Sequence, residues 1–69
     1  MATFRYIGTE TKANGKVDVR CRNSAGETLQ WLDVTPNSTV IDVGSDAKCL
    51  KDFEYAVNAS GAFTYQRVS

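Results

Sequence analysis

The run Lys16-Val17-Asp18-Val19-Arg20-Cys21-Arg22 constrains this chain more than any other feature, because apolar and charged residues alternate across all seven positions. Successive side chains on a β-strand point to opposite faces, so strict alternation marks a strand with one dry and one wet face. Val17, Val19 and Cys21 face inward. A shorter alternation, Ala2, Phe4 and Tyr6, precedes it. Between them lies Ala13-Asn14-Gly15, whose Asn-Gly pair accepts the positive φ of a tight turn. The spacing predicts that these two strands form an antiparallel hairpin.

Beyond the turn-like Asn23-Ser24-Ala25-Gly26-Glu27, the segment Thr28 to Val34 puts Leu29 and Trp31 on one face and Leu32 and Val34 on the other. Pro36 fixes φ and lacks a donor, so Thr35-Pro36-Asn37-Ser38 interrupts the run. Thr39 to Val43 resumes a β-branched pattern, read as a second hairpin ending at Gly44. The period then changes. Asp46 is a good N-cap, and Cys49, Leu50, Phe53, Ala56 and Val57 recur at helical spacing, which predicts a helix over about 46–58 with Gly61 after its frayed end. A competing pattern runs through 53–65, where Phe53, Tyr55 and Val57 alternate and Asn58-Ala59-Ser60-Gly61 reads as a hairpin loop. Ala62 to Val68 closes the chain as a strand. The expected fold is a single α+β domain over 1–69: a small twisted antiparallel sheet of about five strands with one helix packed on it. The alternative is an all-β fold with a C-terminal hairpin.

Sixty-nine residues bury a core that only just offsets the entropy of folding, so partner contacts are expected to add stability. Eight basic and eight acidic side chains cancel, which removes the long-range field that draws proteins onto nucleic acid or anionic lipid. Met1 leads straight into alternating residues with no apolar h-region, and no apolar run approaches a membrane span. A virion or host-cytoplasmic location is expected. Cys21 and Cys49 are too few for a disulfide framework or a zinc site and read as reduced, buried thiols. A bridge between them stays open, since each lies on the inward side of its element.

There is no histidine, and with it go the commonest proton shuttle and transition-metal ligand. No acidic spacing matches a calcium loop and no glycine spacing a phosphate loop. Asp33 and Asp42, facing each other across the second hairpin, would resemble a paired acid/base site, but solvated strand carboxylates are the simpler reading. Cys49 near a helix start has no base to activate it. No catalytic residue, cofactor or metal is assigned, and the chain is read as a non-enzyme.

What remains is surface. One tryptophan, three tyrosines and three phenylalanines exceed what one small core needs to hide. Tyr55, off the helical stripe, Trp31 and Tyr6 are candidate partner contacts. Lys16, Arg20 and Arg22 on the outward face of their strand, with Tyr6 or Trp31 to stack bases, would form a single-stranded nucleic-acid site, although Asp18 interrupts them.

The opening Ala2-Thr3-Phe4-Arg5-Tyr6-Ile7-Gly8, a basic and aromatic strand ending in Ile-Gly, resembles that of very short structural-module proteins of tailed bacteriophages. The resemblance implies a compact virion or accessory protein, such as a capsid decoration or head–tail component, repeated in an oligomeric assembly and contacting other subunits or itself. It transfers no functional residue. A small inhibitor or adaptor of a host protein has the same surface requirements.

Overall fold

The computed structural model describes residues 2–69. Five strands and one helix follow in the order β1 (Ala2–Tyr6), β2 (Val17–Arg22), β3 (Thr28–Val34), β4 (Ile41–Gly44), α1 (Ala47–Tyr55) and β5 (Tyr65–Arg67). The fold is α+β, but the strands divide into two antiparallel sheets, one of order β4-β1-β5 and one of β2-β3. The single five-stranded sheet expected from the sequence is not formed. No helix among the described residues is long and apolar enough to cross a membrane.

Both expected hairpins are replaced by other pairings. The turn at Asn14-Gly15 closes on its own flanks, with Lys12 N–H donating to the Lys16 carbonyl at 2.8 Å, rather than joining β1 to β2. The Tyr6 hydroxyl donates to the Glu10 carbonyl at 2.7 Å and folds the start of this connection back. β1 is thereby released to become the central strand, flanked by β4 and β5. At the other break, Asn37 (φ 65°) donates its N–H to the Tyr6 carbonyl at 2.8 Å, so the chain after Pro36 crosses to β1. β4 then pairs with β1, not with β3.

β2 and β3 form the hairpin instead, through Asn23–Glu27. Asn23 N–H donates to the Glu27 carbonyl and Gly26 N–H to the Asn23 carbonyl, while the Asn23 side chain accepts from Ala25 and Glu27. The same bonding recurs at Asn58–Ala62, where Asn58 and Gly61 play the corresponding parts. Gly26 and Gly61 have φ of 85° and 84°, the left-handed conformation that this three-residue hairpin loop requires. Lys12–Lys16 makes the same pair of backbone bonds.

A β-bulge decides which side of β3 is dry. Trp31 pairs with Val19 but Val34 pairs with Val17, so Leu32 and Asp33 together oppose Asp18. Asp33 takes φ 53°, tolerated by the short side chain of an aspartate. Its N–H donates to the Asp18 carboxylate, and Lys12 Nζ bonds both Asp18 and Asp33 at 2.8 and 2.7 Å. Val34 turns inward beside Trp31 and Leu29, while Leu32 is left exposed. The expected opposition of Leu29 and Trp31 to Val34 is corrected by that extra residue.

The helix starts as expected and stops early. Asp46 caps it by accepting from Lys48 and Cys49 N–H, both at 3.0 Å. Ala56 is already extended, so the helix ends at Tyr55 rather than near 58, and Gly61 is a hairpin residue rather than a helix terminator. Thr64 N–H returns to the Ala56 carbonyl, and Val57 pairs with Phe63. Helix and C-terminal hairpin, posed as alternatives by the sequence, occur one after the other.

Both sheets and the helix meet in one core of Ala2, Phe4, Val19, Cys21, Val34, Ile41, Val43, Cys49 and Phe53. Phe53 is its hub, with ring centroids 5.3 Å from Phe4, 6.0 Å from Trp31 and 4.5 Å from Tyr65. Cys21 and Cys49 are joined by a disulfide, their Cα atoms 6.1 Å apart, so the reading as reduced thiols is corrected. Paired inward positions on β2 and on the first turn of α1 bring them within bridging distance.

A bridge closing a loop of this length, with a sequence separation of 28, contributes roughly 3–4 kcal/mol by constraining the unfolded chain. Urea unfolding with and without a reductant is expected to differ by that amount, and Cys21→Ala/Cys49→Ala should match the reduced protein. The Asp46 carboxyl is held below its ordinary value of 3.8 by the N–H bonds of Cys49 and Ser24. The unfolded chain therefore binds the extra proton first, and the cap's contribution, complete above that ordinary value, is lost as pH falls through the folded one. Unfolding midpoints followed into acid should decline less steeply for Asp46→Asn than for the unaltered chain; parallel declines would refute the assignment.

Candidate contact surface

Three large apolar side chains stand in solvent over a short stretch of structure: Tyr55 at 69% exposure, Val57 at 57% and Phe63 at 59%. Their exposure follows from how the helix ends. Tyr55 is the last residue of α1, and the chain leaves it in an extended conformation. Val57 and Phe63 then form an antiparallel pair flanked by the Asn58–Ala62 and Ala56–Thr64 hydrogen bonds, the arrangement in which paired side chains lie closest. This arm reaches past the end of the three-stranded sheet, where no core remains to receive its side chains. At its base Arg67 bonds Glu54 at 3.0 Å and lies 6.0 Å from the Phe4 ring centroid, fastening β5 to the helix.

Of the contact residues expected from sequence, only Tyr55 is exposed. Trp31 is half-buried and leans edge-on against Phe53. Tyr6 is buried, its ring against Tyr65 and its hydroxyl spent on Glu10, so it offers no contact surface. Burial, with Tyr6 beside it, also pushes the Tyr65 phenol above its ordinary value and keeps it neutral. Phe63 went unseen in the sequence because its alternation with Tyr65 reads as one inward strand face; its pairing with Val57 was the available signal.

The basic residues do not assemble with aromatic rings. Arg20 and Arg22 are exposed on β2, whereas Lys16 is half-buried and donates to the Thr35 hydroxyl at 2.7 Å. The two rings expected to stack bases beside them are turned into the core. Asp33 and Asp42 lie on different sheets, so the paired-carboxylate site expected across a β3–β4 hairpin is absent. An open cleft of about 440 Å³ lies by Tyr6, Glu10, Lys12 and Asp18. Its ammonium is already shared between Asp18 and Asp33, whose hydrogen bonds raise the Lys12 pKa and lower theirs. These groups hold the β3 bulge, so Lys12 and Asp18 are already engaged with each other and with Asp33.

No family model, curated protein or solved structure matches the chain. The two phenylalanines offer a direct check on which aromatic surface is structural. Phe53→Ala is expected to cost about 3–5 kcal/mol in a urea titration, and Phe63→Ser to change stability by less than about 0.5 kcal/mol.

Proposed function

We propose that this chain is a non-enzymatic structural or assembly protein that works by protein–protein contact. Its closest functional setting is a bacteriophage particle, as a capsid decoration or head–tail component. The observation that carries the reading is the Tyr55, Val57 and Phe63 group. Exposed aromatic and β-branched residues on a braced scaffold are what a contact site needs, because little conformational entropy is lost when such side chains are covered. The disulfide supports the same setting, since paired cysteines persist on extracellular surfaces such as those of virions and are rare in reducing cytoplasm. The phage-like opening strand, with Phe4 and Tyr6 inward and Arg5 outward, is its third support.

The test is co-expression with the products of the adjoining genes, followed by purification of any particle or complex. The unaltered chain should co-purify in fixed stoichiometry. Tyr55→Asp and Phe63→Asp, which leave the core untouched, should reduce incorporation at least roughly tenfold, as loss of a central interface anchor does. Incorporation unaffected by both substitutions, or a chain that joins no particle, would overturn the reading.

A further inference from the structure

The three-stranded sheet has a second face. Helix α1 and the β2-β3 sheet both pack on the side carrying Phe4, Ile41 and Tyr65, so the side carrying Thr3 and Arg5 is turned away from both. Arg5 stands on the central strand of this outer face. It makes no ion pair among the described residues, and its Nε is shielded from solvent without an acceptor. Asp42 is exposed on the neighbouring strand directly opposite Thr3, which places it on the diagonal from Arg5. Among the described residues its carboxylate accepts only the Gly44 N–H, at 2.9 Å. Around these two charges Ile7, Val40 and Val68 are exposed.

One cation and one anion on an otherwise uncharged sheet face form a self-complementary pattern. A two-fold axis lying between two such faces, perpendicular to the Arg5–Asp42 direction, sets each arginine over the partner copy's aspartate and brings the apolar residues together. Aligned sheets pack about 10 Å apart with interdigitated side chains, and that geometry suits this face. The chain's net charge of zero gives no long-range repulsion between copies.

We propose that the outer face of the β4-β1-β5 sheet is a homodimer interface, with Arg5 of each copy paired to Asp42 of the other. The contact is independent of the Tyr55 group and leaves that group free. A dimer built this way presents two copies of the Tyr55 group related by the two-fold axis.

Sedimentation of the full chain over a concentration series should show a monomer–dimer equilibrium that weakens with added salt. Arg5→Glu alone should raise the dissociation constant at least roughly tenfold by setting two carboxylates against each other on both sides of the axis. Asp42→Lys alone should act similarly by opposing two cations. Arg5→Glu combined with Asp42→Lys should return it to within about threefold, the signature of a direct pair in a double-mutant cycle. Because Asp42 also bonds Gly44, Asp42→Asn keeps that acceptor and removes only the charge. It should weaken the dimer even if Asp42→Lys fails to fold. Tyr55→Asp should leave the equilibrium unchanged. A chain that stays monomeric at the highest concentration overturns the proposal, as does self-association indifferent to Arg5→Glu, not restored by the double exchange, or abolished by Tyr55→Asp. Each of these results leaves the assembly reading to be judged by its own co-purification test.

Discussion

The fold depends on the junction where the first turn of α1 meets the end of β2. There one carboxylate and one covalent bond fix the same two pieces of chain. Asp46 accepts from Lys48 and Cys49 to start the helix and from the Ser24 N–H and hydroxyl to hold the β2-β3 turn against it. The disulfide joins Cys49 to Cys21 just inside. Lys48 adds a third tie, donating to the Arg22 carbonyl at 3.1 Å. A nine-residue helix is too short to persist on its own propensity, so its docking must be supplied from outside. The size of that requirement is apparent from the whole: a domain of 69 residues has a net stability of roughly 3–10 kcal/mol, and the bridge alone is comparable to the lower figure.

Once the helix is pinned at its start, Phe53 is carried two turns along into the space between the sheets, where Phe4, Trp31 and Tyr65 surround it. The division into two sheets follows. A central strand as apolar as β1 can be flanked on both edges, and β2-β3 closes the core from the other side with the helix filling the gap. The aromatic surplus then divides by position. Phe4, Tyr6, Trp31, Phe53 and Tyr65 are covered to differing degrees, and Tyr55 at the end of α1 and Phe63 on the arm are left outside.

Local patterns in the sequence spoke for local structure. The alternation of Val17, Val19 and Cys21, the capping role of Asp46, the outward placement of Tyr55 and the turns at Gly15 and Gly26 are all legible, since each depends on residues within a few positions of one another. Strand pairing was not. Tyr6 offers the same carbonyl to any neighbour, and only the capture of Asn37 decides that β4 arrives beside β1. The bulge in β3 was hidden for a different reason: Leu32 is as apolar as Val34, so composition does not reveal which is displaced. The disulfide was half legible, because both cysteines read as inward but their proximity depends on how the helix crosses β2. Of the candidate contacts, the exposure of Tyr55 was legible from helical phase, while the inward turn of Tyr6 and Trp31 was not, because a count of aromatics cannot say which rings the core claims first.

The bulge at Asp33 carries a consequence for how this strand tolerates change in its gene. A strand ordinarily transmits the loss or gain of one codon along its whole length, because every side chain beyond the change swaps faces. β3 has already absorbed one supernumerary residue at a point braced by Lys12 and Asp18. A one-codon deletion at 33 would convert the bulge to regular pairing, with Leu32 opposite Asp18 and Val34 still opposite Val17, so Leu29, Trp31 and Val34 all stay inward. A duplication there would leave the segment ahead of it equally undisturbed. Loss of a residue at this point is thus absorbed within the bulge itself, and the half of β3 facing Phe53 is insulated from it.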